Sequence, residues 1–275
     1  MLARIASTLS LWIITILVLY YFDSYGWTAI ITLLSAAALY ETTQLLKKMG
    51  LQPLSRFAQI ASFTICVAVS INASAGSLAF VLFATILALS VLKSPYSDYV
   101  LKSVIPTICL ILFIPFMLHW LVVLGFRDDG IILAIWVVAA AKFSDVGAYV
   151  VGCAFGRHKM APTMSPQKSW EGAVGGVLSS AVISAGIFWG VGVFAGENYA
   201  EFNKVFTPPL MAFAGMIIGA TAILSDLLES VLKRRAEVKD SGAIIPGIGG
   251  ALDLADSIIL SAPVGFFVIT LIVLI

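Results

Sequence analysis

The stretch SVLKRRAEVKDSGAIIPGIGGALDLADS (Ser230–Ser257) packs four basic and four acidic residues around a Gly-rich turn, in a chain that is only 11% charged. Apolar runs flank it at 209–232 and 254–275. A soluble domain carries about 25% charged residues. This chain is 60% hydrophobic with a mean hydropathy of +1.04, so lipid is its expected solvent. The quoted stretch then reads as a charged loop joining two membrane helices, and the fold as all-α and polytopic.

A membrane helix needs roughly 20 mostly apolar residues. Nine segments approach that length, at about 5–22, 27–46, 57–73, 76–92, 103–125, 131–152, 172–195, 209–232 and 254–275. The first could be mistaken for a signal peptide, but LYYFDSYG (19–26) offers no small-residue cleavage site, so it counts as a span. With the N-terminus cytoplasmic, 13 of the 16 Lys+Arg fall on one face, and only Arg127 and Lys204 on the other. The positive-inside rule therefore puts the N-terminus in the cytoplasm and the C-terminus outside. No repeat or soluble segment interrupts this pattern, so 1–275 is expected to be a single membrane domain. Residues 1–130 would serve as scaffold, and 131–275 would carry the chemistry with cytoplasmic loops at 153–171 and 233–252.

A net charge of +1 gives no reason to expect nucleic acid as a partner. Cys66, Cys109 and Cys153 are isolated in apolar context and read as packing residues, while His119 and His158 share no motif, so no zinc site is expected. Gly172/Gly176, Gly186/Gly190 and Gly215/Gly219 repeat the spacing that lets membrane helices approach closely.

Charges inside spans cost about 2.5–3.5 kcal/mol at mid-depth and need partners. Lys142 and Asp145 lie three residues apart in AAAKFSDVGAYVVG (139–152). Asp226, Glu229, Ser230 and Lys233 form one polar stripe on the eighth segment, and Asp253, Asp256 and Ser257 share a face at the start of the ninth. Glu41, Asp98 and Glu237 read as structural ion pairs or snorkelling interfacial charges. Asp226, Asp253 and Asp256 together read differently: three acids outnumber one neighbouring lysine, and a divalent cation relieves their repulsion. All-oxygen ligands favour Mg2+ over zinc. The basic, hydroxyl-rich loops and the PGIGG turn (246–250), which feeds a helix N-terminus, suit phosphate binding. Acidic metal ligands ringed by bases at a membrane interface suit phosphoryl or nucleotidyl transfer onto a membrane-embedded substrate.

The pattern SxxKRxxxxKDxGxxxPGxGGxxDxxDS resembles the signature of the phosphatidate cytidylyltransferase (CDP-diacylglycerol synthase) family. The upstream block SDVGAYVVGCAFGRHKMAPTMSPQKSWEG (144–172) and SDLLESVLKR (225–234) are similar to that family's other conserved stretches, so the specific resemblance covers roughly 140–260. It implies CTP and phosphatidate as substrates, CDP-diacylglycerol and pyrophosphate as products, and a role in phospholipid biosynthesis. Mg2+ is implied as cofactor, with room for a monovalent cation such as K+. It implies Asp226, Asp253 and Asp256 as metal ligands, and Ser230, Lys233, Arg234, Lys239 and Asp240 at the nucleotide phosphates beside Gly249 and Gly250. Ser165, Lys168 and Glu171 would close the cavity from the other loop, and Asp145 would join a polar network. The implied setting is the bacterial cytoplasmic (inner) membrane with a cytoplasmic active site, and a homodimer is compatible with it. Two positions depart from the family pattern: Ile248 stands where His is usual and Leu254 where Arg is usual, which bears on nucleotide grip. Two other readings stay open: a CTP-dependent lipid or polyprenol kinase, which moves the γ-phosphoryl group, and an ion-coupled transporter using Lys142 and Asp145.

Overall fold

A computed structural model describes residues 2–92, 97–194, 199–242 and 249–274. Among these residues the chain is helical apart from its loops and one two-stranded hairpin, and six helical stretches are long and apolar enough to cross a membrane. The protein is an all-α polytopic membrane protein in the coarse sense. The described residues fall into two compact units: Met1–Ile131 with Leu232–Ala255, and Ile132–Val231 with Asp256–Ile275.

In the first unit, the first two expected segments run as one helical stretch, α1 (Leu2–Lys48), broken at Asp23 with φ 47 and ψ −129. A Cβ on Gly26 would lie 2.7 Å from the carbonyl oxygen of Val18, eight residues earlier, so the chain doubles back at Asp23. Residues eight apart in a straight helix are separated by roughly 12 Å of rise. The segments at 57–73 and 76–92 form the shorter helices α2 (Ser55–Ala68) and α3 (Ala75–Val91), of 14 and 17 residues. The segment at 103–125 is divided into one π-helical turn (Val100–Val104), α4 (Ile105–Phe113) and α5 (Pro115–Gly125). The break falls at Ile114, whose successor Pro115 cannot donate the backbone hydrogen bond that a continuous helix needs. Buried polar contacts tie these helices together: Trp27 Nε1 donates to the Leu121 carbonyl at 2.9 Å, and the Ser35 and Ser62 hydroxyls meet at 2.9 Å. Such bonds within membranes contribute on the order of 0.6 kcal/mol each, so close packing carries most of the stability. Cys66 is buried within this packing; Cys109 and Cys153, expected inside as well, lie on exposed apolar faces.

The second unit is built on α6 (Gly130–Phe155), the hairpin β1 (Lys159–Ala161) and β2 (Ser165–Ser169), α7 (Trp170–Phe194), α8 (Ala200–Val205), α9 (Pro208–Arg235) and α10 (Ala251–Leu274). The ends of α9 and α10 beyond Val231 and before Asp256 belong to the first unit. Helices α6, α7 and α9 approach through glycines. A Cβ on Gly176 would sit 2.8 Å from the Ser144 carbonyl oxygen, and one on Gly219 2.7 Å from Ser180 Cβ. Gly172 and Gly215 make similarly close approaches, whereas Gly186 and Gly190, expected to do the same, have open space around them. Ser144 Oγ donates to the Gly219 carbonyl at 3.0 Å, and Trp136 Nε1 to Ser184 Oγ at 2.8 Å, so small polar residues lock the bundle where the backbones come nearest.

Candidate active site

In the second unit, the polar stripe of α9 meets α10 at Asp256. Carboxylate oxygens of Asp226, Glu229 and Asp256 all lie within 4.8 Å of one another. At an effective dielectric of about 20, each like-charged pair at that separation repels by roughly 3.5 kcal/mol. Two lysines offset part of this. Lys168, delivered by β2, places Nζ 2.7 Å from Asp226 Oδ2. Lys142 on α6 places Nζ 3.2 Å from Asp256 Oδ1 and 3.4 Å from Asp145 Oδ2. Lys142 and Lys168 thus pair with Asp145, Asp226 and Asp256, and Glu229 lies buried beside them.

The donor set fits Mg2+. All three candidate ligands are carboxylate oxygens, the hard donors that this cation takes. Serine hydroxyls flank the cluster: that of Ser225 donates to the Asp256 backbone carbonyl, and that of Ser230 to Asp226 Oδ1 at 3.5 Å. Glu229 is 1% exposed, so its carboxylate sits inside the packing and not at the surface.

The loop before α7 is organised by its own cap. Ser169 Oγ accepts the Gly172 N–H at 3.1 Å, the usual N-cap geometry. Glu171, in the first turn of α7, accepts the Arg157 N–H at 3.2 Å and bonds the His158 ring at 2.5 Å. It thereby clips the loop to the helix and leaves Lys168 pointing at Asp226. Ser165 starts β2, half-buried. An open cleft of about 760 Å³ runs beside this loop, bordered by Arg157, Lys159, Trp170 and Glu171.

The first unit holds a second cluster. Lys233 Nζ, at the end of α9, is 2.8 Å from Asp253 Oδ1. The other oxygen, Asp253 Oδ2, accepts the Gly250 N–H at 2.8 Å, the Ser241 N–H at 3.3 Å and the Ser241 hydroxyl at 3.0 Å. Gly249 has φ +119, a conformation that side chains rarely adopt, and so turns the chain into α10. Asp253 therefore caps its own helix while pairing with a lysine. Arg234 is exposed and donates to the Val238 carbonyl at 3.3 Å, and Lys239 and Asp240 are exposed on the same loop. Ile248 lies outside the described residues. Leu254 continues the α10 ladder, its N–H donating to the Gly250 carbonyl at 3.2 Å.

Two residues gain a place that spacing alone did not give them. Glu229 stood in the polar stripe without being chosen as a ligand; the signal was its i+3 relation to Asp226. Glu41, expected as an ion pair or a snorkelling charge, is neither: it is 3% exposed and accepts the Leu252 N–H and the Ser241 hydroxyl, each at 2.9 Å. Asp98 does form an exposed ion pair with Lys102 at 2.7 Å, and that ammonium holds its carboxyl below the usual range.

With the residues of each cluster described, comparison with known proteins decides the family. A model of the cytidylyltransferase family matches residues 2–272. The chain belongs to the cytidylyltransferase family. Among curated relatives, a phosphatidate cytidylyltransferase of Mycobacterium bovis is 34% identical over 178 residues, 65% of this chain and 54% of that protein. One of Rickettsia felis is 41% identical over 150 residues, covering 54% of this chain and 59% of that protein. One of Haemophilus influenzae is 40% identical over 140 residues, covering 50% and 45%. The chain spans about half the length of the curated relatives it matches. Similarity to this cytidylyltransferase family agrees with the resemblance carried by the Ser230–Ser257 stretch.

Proposed function

We propose that this cytidylyltransferase-family protein transfers a cytidylyl group from CTP to phosphatidate, giving CDP-diacylglycerol and pyrophosphate for phospholipid synthesis. The observation that carries the reading is the convergence of the Asp226, Glu229 and Asp256 carboxylates within 4.8 Å of one another, in a family whose matched relatives bear the name phosphatidate cytidylyltransferase. A phosphate oxygen of phosphatidate attacks the α-phosphorus of CTP; the bond from that phosphorus to the bridging oxygen breaks, and pyrophosphate leaves with the electron pair. A phosphate monoester is already ionised near neutral pH, so no protein base is assigned.

The chain's own residues align and neutralise. Lys168 shields Asp226 and can turn to an incoming phosphate, and Lys142 fixes the Asp256 carboxylate. Lys233, Arg234 and Lys239 supply cationic donors on the loop leading to α10, where Asp240, Gly249 and Gly250 complete the nucleotide-phosphate surface; the Ser230 hydroxyl would serve from beside Asp226. Ser165 and Lys168 in β2 and Glu171 in the first turn of α7 would close the site. Asp226, Glu229 and Asp256 would hold Mg2+, which supplies charge neutralisation at the reacting phosphates. A K+ ion beside it and a homodimer are part of the same proposal.

The proposed setting is the bacterial cytoplasmic membrane, with the N-terminus and the site on the cytoplasmic side and the C-terminus outside. The 13 Lys+Arg assigned to one face support it, as does the doubling back at Asp23, which lets α1 supply two of nine passes. The test is incubation of purified protein with CTP, phosphatidate and MgCl2, followed by mass analysis of the lipid. The expected product carries an added cytidylyl group. A lipid that gains only a phosphoryl group would establish the kinase reading, and vesicle transport without CTP consumption would establish the transporter.

A further inference from the structure

Glu41 lies in α1, far from the loop that carries the family signature, and the proposed chemistry gives it no role. Withdrawing a carboxylate from water is costly unless other donors replace the water. Among the described residues no lysine or arginine pairs with it; its donors come from the loop 200 residues further on. Leu252 N–H donates to Glu41 Oε2 at 2.9 Å. Leu252 is the second residue of α10, so this N–H is one of those that a helix start leaves without a partner inside the helix. The positive end of the helix dipole favours a carboxylate there.

Asp253 Oδ2 takes the neighbouring Gly250 N–H at 2.8 Å, so two carboxylates from distant parts of the chain divide the start of α10 between them. The Ser241 hydroxyl lies 2.9 Å from Glu41 Oε2 and 3.0 Å from Asp253 Oδ2, its single proton available to either. Asp253 Oδ1 in turn holds Lys233 at 2.8 Å. The fit also accounts for two glycines: a Cβ on Gly242 or Gly250 would overlap the Glu41 carboxylate.

We infer that Glu41 is a positioning residue for the nucleotide-phosphate site, fixing the first turn of α10 and Ser241 and, through them, the Lys233–Asp253 pair. Its kinetic consequence rests on the proposed cytidylyl transfer; its effect on α10 does not. Two readouts on the full-length protein in nanodiscs separate these. One is amide hydrogen exchange across 249–255 without substrate, and the other is initial rates with CTP and phosphatidate varied in turn. The variants are Glu41→Ala, Glu41→Gln and, as a control, Thr42→Val, whose buried hydroxyl bonds only the Ala38 carbonyl of its own helix.

Glu41→Ala is expected to raise exchange across 249–255 about tenfold or more, and to raise KM for CTP by about tenfold through loss of charge-assisted hydrogen bonds. KM for phosphatidate stays within about twofold by the same reasoning, since the bracing concerns the nucleotide side. Glu41→Gln, which keeps an acceptor oxygen, falls between, and Thr42→Val changes neither readout. If Glu41→Ala does not fold, Glu41→Gln carries the test. Unchanged exchange, or equal losses for both substrates, overturns the inference. If the wild-type protein consumes no CTP, the functional reading fails, while raised exchange in the variant still upholds the bracing of α10.

Discussion

Glu229→Gln separates a metal site from a structural ion cluster, because the two readings predict opposite signs. The carboxylate is buried within 4.8 Å of the Asp226 and Asp256 oxygens. Each of those pairs repels by roughly 3.5 kcal/mol at an effective dielectric of about 20. Removing the charge with an isosteric amide relieves both repulsions, so in EDTA the variant should melt higher than the wild type. Mg2+ narrows that gap. Loss of one charged ligand costs about 1.5–3 kcal/mol, which weakens the cation by about 10- to 100-fold. At a concentration 100 times the wild-type Kd, the cation stabilises the wild type by about 2.7 kcal/mol and the variant by only about 0.4–1.4 kcal/mol. The assay is a pair of thermal melts, in EDTA and across a Mg2+ titration, run beside the Mg2+ dependence of CTP-driven lipid product. A variant that melts below wild type in EDTA, with its half-saturating Mg2+ concentration within twofold, would refute the reasoning.

Other consequences follow from the same geometry. Asp253→Asn should abolish CTP-dependent turnover while the protein remains folded and membrane-inserted, because it removes the anchor for Lys233 and the cap on Gly250; near-normal activity would remove Asp253 from the site. Lys233→Met should raise KM for CTP more than KM for phosphatidate, as steady-state kinetics with each substrate varied would show. Chelation with EDTA should stop product formation, and MgCl2 should restore it more fully than CaCl2, whose longer bonds suit a looser oxygen cage. Gly176→Leu should lower the melting temperature, since its Cβ would already lie 2.8 Å from the Ser144 carbonyl and overpacking costs about 1–3 kcal/mol.

How much of this was legible beforehand depends on the range of the interaction. The stripe of Asp226, Glu229 and Ser230 on α9 follows from helical spacing, whereas Asp253 and Asp256, read together on one face, take separate partners: Asp253 pairs with Lys233 and Asp256 with Lys142. The close approaches at Gly172, Gly176, Gly215 and Gly219 were legible for the same reason, yet spacing could not tell them from Gly186 and Gly190, where, among the described residues, a Cβ would meet nothing within 4 Å. Hydropathy located the apolar segments but not their breaks. Proline punctuation at Pro115 pointed to the division of 103–125, whereas the reversal at Asp23 depends on Gly26 fitting against Val18. Glu41 illustrates the limit: its partners Ser241 and Leu252 lie 200 and 211 positions away, a pairing that no local pattern encodes.

The central claim is that Asp226, Glu229 and Asp256 jointly hold a divalent cation. Crystals of the protein grown with MnCl2 in place of MgCl2, measured at the manganese absorption edge, test it directly. The account predicts one strong anomalous peak within coordination distance of all three carboxylates. A peak bound elsewhere, or the three side chains turned apart with no peak between them, would contradict it.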